Sequence, residues 1–142
     1  MDPVAELVAA RGAELVLIGL FAGLDSNQFE TVATSFAADG VWHRQGKQLK
    51  GPPMVREAMT ERNKGARTRH VVTNIVTTVK GDSEADISFY MTVFSHLGEA
   101  EAPPPAPMNL PNTVGLSRAT LRRESGQWKI AELKSAATFQ RK

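Results

Sequence analysis

Two long runs of alternating side chains in the second half of the chain set the fold class. His70–Lys80 places Val71, Ile75 and Val79 on one face, and His70, Val72, Asn74, Val76 and Thr78 on the other. The turn-forming stretch KGDSE follows. Ala85–His96 then continues with Ile87, Phe89, Met91 and Val93 on one side. Period-two alternation predicts strands, and the short connection predicts an antiparallel pair. Leu116–Glu124, the SGQ turn and Trp128–Ala137 predict a final hairpin. Between the pairs lies GEAEAPPPAPMNLP, too rich in proline for helix and expected as an exposed loop.

The first half carries helical spacing instead. In residues 3–24, Pro3 suits a first turn after Asp2. Val4, Leu7, Val8, Leu15 and Ile18 recur as an apolar stripe, while Gly12, Gly19 and Gly23 weaken the stretch or divide it in two. A second helix is expected from Asp25–Asn27 to Gly40. Asn27 and Glu30 stand at capping-box spacing, and Phe29, Val32, Ala33 and Phe36 form the stripe. VWHRQ reads as a short strand and RQGKQLKG as its hairpin. The prolines of GPPMVREAMTERNKG open a third helix, with Val55, Ala58, Met59 and Arg62 on one face and Gly65 closing it. Helices followed by antiparallel strands predict an α+β fold, a curved sheet wrapped against helices at one end. Its concave side can hold a small-molecule pocket. A chain of 142 residues suits one domain, residues 1–142, with one core.

Composition narrows the function classes. A net charge of +2 is too mild to imply a nucleic-acid or anionic-membrane partner. The basic run RNKGARTR lacks interleaved aromatics and is expected as solvated surface. Without cysteine there are no disulfides, thiolate metal sites or cysteine nucleophiles. ELVLIGLFAGL, the most apolar window, falls short of the roughly 20 residues of a membrane span, and MDPVAE lacks the cationic region of a signal peptide. The expectation is a soluble, cytoplasmic protein with neither a membrane nor a nucleic-acid partner. Helical zinc motifs, phosphate loops, dinucleotide fingerprints and Gly-x-Ser-x-Gly are absent, so no metal or cofactor is expected.

A few polar positions can carry chemistry. Asp25 follows Ile18, Phe21 and Ala22 at spacings of seven, four and three, which places it on an apolar helix face if the first helix reaches it. A carboxylate there needs a partner. Asp is equally a preferred N-cap, and a helix follows at once. His70 is a natural proton shuttle near neutral pH, or a structural histidine bonded to a carbonyl. Asn74 shares its expected face, about 13 Å further along the strand. His96 ends the next strand on the face of Ser88, Tyr90, Thr92 and Phe94, which suits either a cavity wall or a half-exposed sheet surface. His43 and Trp42 are neighbours on a strand and point opposite ways.

The motifs also carry a resemblance. FAADGVWHRQGKQLKGPPMVREAM resembles the middle of SnoaL-like domains in the nuclear transport factor 2-like superfamily, with their F-x-x-D-x-V-W. RTRHVVTNIVTTV and ADISFYMTVF resemble their R-H-x-x-(T/S)-N strand and its successor, and SGQWKIAELK their closing G-x-W-(K/R)-I strand. The resemblance implies a cone-shaped α+β barrel, whose open mouth is lined by helices. The superfamily holds scytalone dehydratase, ketosteroid isomerase, polyketide cyclases and hexachlorocyclohexane dehydrochlorinase, as well as non-catalytic binding and assembly subunits. It implies that Asp25 and His70 stand at an Asp–His pair and that His96 stands at a second active-site histidine. Two departures accompany it. No tyrosine matches those of scytalone dehydratase, since Leu24 precedes Asp25 and Trp42–Arg44 fills the other region. Leu133 lies near the position of the dehydrochlorinase's late-strand arginine.

The resemblance thus implies a lyase or isomerase acting without a cofactor on a small, apolar, cyclic substrate. Asp25, His70 and His96 would be catalytic, and Phe21, Trp42, Asn74 and Tyr90 would line the pocket. The alternative is a binding or assembly module of the same fold. An apolar sheet face left exposed favours a homo-oligomer, dimer or trimer, under either reading.

Overall fold

Helix α1, Pro3–Asp25, runs unbroken in the computed structural model, which describes residues 1–142. Asp2 caps it by accepting the Ala5 N–H at 2.9 Å, and Pro3 fills the first turn. The glycines do not divide it. Gly12 sits where the helix meets the sheet, and a Cβ there would come within 2.9 Å of Trp128 Nε1. Small residues therefore set the approach, and the buried face is Ala9, Ala13, Leu17, Leu20, Phe21 and Leu24. The expected stripe is turned outward in large part: Val4, Leu7, Val8 and Leu15 are exposed. By length and composition α1 is long and apolar enough to cross a bilayer, more so than its most apolar window suggested. In this fold its inner face covers the sheet.

The second helix is shorter than expected. Helix α2 is Phe29–Thr34, and strand β1, Phe36–Arg44, starts where the helix was expected to continue to Gly40. Gln28, not Asn27, takes the cap position, with no side-chain hydrogen bond. Phe36 pairs in parallel with Ile130, and the Ile130 N–H donates to the Ser35 carbonyl at 2.8 Å. Phe36 is buried in this strand, as it would be on a helical stripe, so its apolar character could not separate the two.

Strand β2 (Lys47–Lys50), helix α3 (Gly51–Thr60) and strands β3 (Ala66–Lys80), β4 (Glu84–Leu97), β5 (Thr113–Glu124) and β6 (Gln127–Gln140) complete the chain. The sheet order is β2-β1-β6-β5-β4-β3, antiparallel throughout except for β1 beside β6. Leu17 and Leu20 of α1 and Met59 of α3 pack with Ile87, Phe89, Leu121 and Ile130 in the core. Residues 98–112, which include the proline-rich segment, form no helix or strand and are mostly exposed. The architecture is the α+β arrangement of helices on a curved sheet.

Strand β3 departs from simple alternation. Thr73 pairs with Tyr90 and Val76 with Ser88, so β3 spends three steps where β4 spends two. Asn74 takes up the extra residue with φ 52°. This is a β-bulge, which bends the strand and reverses which side chains face inward. His70 and Val72 point in before it, and Ile75, Thr77 and Val79 point in after it, whereas Val71, Asn74 and Val76 are exposed. The two-face assignment of the sequence holds only up to Thr73.

Candidate functional site

Asp25 ends α1 and reaches β3. Its Oδ2 accepts the His70 backbone N–H at 2.8 Å, and its Oδ1 meets His70 Nδ1 at 2.6 Å and the Thr68 hydroxyl at 2.8 Å. The cap alternative therefore does not describe this side chain. A carboxylate can only accept, so Nδ1 carries the hydrogen, and in the neutral ring Nε2 has the lone pair. The Asp25 and His70 side chains are 13% and 11% exposed, too little for water to replace these bonds.

The residues around the pair explain its position. Phe21, one helical turn before Asp25, stacks on the His70 ring at 5.4 Å and meets Phe89 edge-on at 5.9 Å. The Thr68 hydroxyl donates to Asp25 and accepts from Arg62 Nη2 at 2.8 Å. A chain of bonds thus runs from Arg62 through Thr68 and Asp25 to His70. Burial holds the Arg62 guanidinium below the usual arginine range, while the nearby Asp25 charge works the other way.

Beside the pair opens a cavity of about 920 Å³. Phe21, Leu24, Trp42, Leu49, Met91 and Val93 give it apolar walls, and His70, Thr68, Arg44, Arg62, Ser95 and Asn112 add polar groups. Trp42 is buried and stacks on Phe36 at 5.6 Å, with the Arg44 guanidinium 5.4 Å from its ring centre. His43 bonds Glu132 at 3.0 Å yet still borders the cavity. The amide of Asn112 donates to Ser95 Oγ at 2.6 Å, and its oxygen is buried without a partner.

The remaining candidates divide. His96 lines the cavity, but it pairs with Arg67, three residues along the strand from Val93, the partner of His70. That spacing puts it about 10 Å from the Asp–His pair. Asn74 and Tyr90 are not on the cavity wall. Asn74 is turned out by the bulge, and Tyr90 is half exposed, because β4 buries its Ile87 and Phe89 face instead. Thr68, Arg44, Arg62 and Asn112 went unassigned by sequence. A signal existed for Arg62, a lone charge on the Val55–Ala58–Met59 stripe. It belongs to the basic run expected as solvated surface, yet its Nε is buried.

The SnoaL-like domain family model matches residues 16–134. No curated protein sequence matches the chain. Among solved structures, one described as a putative scytalone dehydratase from Novosphingobium aromaticivorans superposes with a TM-score of 0.81 at 19% identity, covering 99% of this chain and 91% of that one. A hexachlorocyclohexane dehydrochlorinase (LinA) of type 2 gives 0.78 at 16% identity, with 97% and 90% covered. A nuclear transport factor 2-like protein with a cystatin-like fold, also from N. aromaticivorans, gives 0.74 at 18%, with 93% and 84% covered. At these identities the likeness establishes the fold.

Proposed function

The chain belongs to the SnoaL-like domain family, and we propose that it is a lyase or isomerase that needs no cofactor and moves a proton on a small, largely apolar, cyclic substrate. The observation that carries this reading is the 2.6 Å bond from Asp25 Oδ1 to Nδ1 of His70, a residue on the wall of a large cavity. With Nδ1–H held by Asp25, Nε2 is free to take a proton from a carbon next to a carbonyl or a leaving group. The C–H electron pair then forms a carbon–carbon double bond, as either the leaving group departs with its bonding pair or the carbonyl π pair moves onto its oxygen. Asp25 stabilises the resulting imidazolium, and the negative end of the α1 dipole lies beside it. The imidazolium returns its proton to the departing hydroxyl or to another carbon, which gives dehydration or isomerisation. Phe21 fixes the ring plane by stacking. Trp42 and Met91 supply the apolar wall.

The dehydratase and dehydrochlorinase names of the structural relatives agree with this reading. His96, which also lines the cavity, is the group that can protonate a leaving hydroxyl on a longer substrate. Its distance from His70 favours a second reading, a binding module without turnover. The exposed Val71, Val76 and Tyr90 support a homo-oligomer under both. A panel of hydroxylated cyclic ketones and related alcohols separates them. Turnover by the native protein that falls about 10²–10⁴-fold in His70→Ala supports the enzyme. Binding without turnover supports the module, and turnover unchanged in His70→Ala overturns the assigned base.

A further inference from the structure

The cavity holds two arginines whose charges nothing in the protein neutralises by contact. Two surface guanidinium groups do have carboxylate partners: Arg56 binds Glu30 through two bonds at 2.7 and 2.9 Å, and Arg122 binds Asp39. Inside, Arg44 lies over Trp42 with no carboxylate partner. Arg62 gives one N–H to Thr68, and its Nε is buried with no acceptor. The acids nearby do not pair with them. Both oxygens of Asp25 are engaged by His70 and Thr68, while Glu57 and Glu61 are exposed on the cavity's α3 side. Burial pushes the Arg44 guanidinium below its usual range, and the Arg62 charge pushes it the same way. The two groups therefore repel each other across a partly desolvated space.

We propose that the substrate is an organic carboxylate whose anionic group is bound by Arg44 and Arg62. This rests on the proposed proton-transfer site and narrows its substrate class. A planar fork of N–H donors matches the two oxygens of a carboxylate, and an anion between like charges removes their repulsion. The position suits the chemistry as well. Arg62 is anchored on Thr68, two residues from His70 on one strand, so the anion sits roughly 7 Å from the imidazole. That separation leaves the apolar body of a small cyclic acid beneath His70, against Trp42 and Met91.

The test uses matched probes, cyclohexanecarboxylate and cyclohexanecarboxamide, titrated by calorimetry and by tryptophan fluorescence, which Trp42 brings to the site. The carboxylate is expected to bind at least tenfold more tightly than the amide. Each of Arg44→Gln and Arg62→Gln should cut its affinity roughly ten- to a hundredfold and leave the amide unchanged. Circular dichroism checks that both variants fold. If Arg62→Gln does not, Arg62→Lys takes its place, and it should keep part of the preference because the charge remains. His70→Gln should retain the carboxylate preference, so a failure of the proton-transfer reading is seen separately as absent turnover. Equal binding of the two probes, no binding of either at millimolar concentration, or a preference untouched by Arg44→Gln would each overturn the proposal.

Discussion

Asp25→Asn puts the tautomer of His70 to a direct test, without knowledge of the substrate. The native carboxylate accepts three bonds, from the His70 backbone N–H, His70 Nδ1 and the Thr68 hydroxyl. An asparagine has one accepting oxygen and one donating nitrogen. If the oxygen faces Nδ1, the new NH₂ points at the His70 backbone N–H and two donors collide. If the amide is reversed, the NH₂ donates to Nδ1 and forces the hydrogen onto Nε2. One outcome strands a buried donor, the other gives the wrong tautomer. At 13% and 11% exposure, water cannot repair either. A stranded donor costs about 1–3 kcal/mol, and the loss of charge-assisted bonds pulls toward the upper part of that range. Urea denaturation should show a loss of about 2 kcal/mol with an unchanged slope. Nitrogen-15 shifts of the His70 ring should report Nδ1–H in the native protein and Nε2–H in a variant that takes the reversed amide. A variant that matches native stability within about 0.5 kcal/mol and keeps Nδ1–H would refute the described geometry.

Two further comparisons rest on backbone and packing. A Cβ on Gly19 meets nothing within 4 Å, so Gly19→Ala should raise stability by about 0.5–1 kcal/mol in urea denaturation. Gly12→Ala should lose that gain and more, because its Cβ would press on the buried Trp128 ring at 2.9 Å. Asn74→Val should cost about 1–2 kcal/mol, since a β-branched residue resists the left-handed backbone of φ 52°, whereas Asn74→Gly should stay within about 0.5 kcal/mol of the native value. Neither Asn74 variant should change the affinity of a cavity ligand.

How much of this was legible depends on whether a signal was local. The strand pairs, the α3 helix and the α+β class followed from period and turns, because a half-buried strand and an amphipathic helix write their environment into neighbouring residues. The Asp25–His70 pair was reachable only as a resemblance. Forty-five residues separate the partners, and an Asp before a helix has an innocent use as a cap. The α1 face was misread because apolar size, not closeness of packing, drives the periodicity count. Gly12 and Ala13 pack where leucines cannot, and Val4, Leu7 and Val8 remain outside. Arg62 was hidden by its neighbours: a run of basic residues looks solvated when each is averaged with the next.

The bulge at Asn74 joins these points. An unbroken alternation from His70 would place Asn74 and Val76 inward and Ile75 and Val79 outward. With the extra residue, His70 and Val72 still face the cavity and core, and the same strand then turns Ile75, Thr77 and Val79 toward α1. Thr77 bonds Glu14 of α1 at 2.6 Å on that far side. Both halves of β3 are thereby fixed to one helix, by Thr77 near its middle and by Thr68 and His70 at Asp25, its last residue. The left-handed residue thus contributes nothing to the cavity wall by contact. Its effect is to let a single unbroken helix carry the carboxylate at its end to the histidine while its middle is held by the other half of the strand. The amide once expected as a pocket contact acts through the backbone instead.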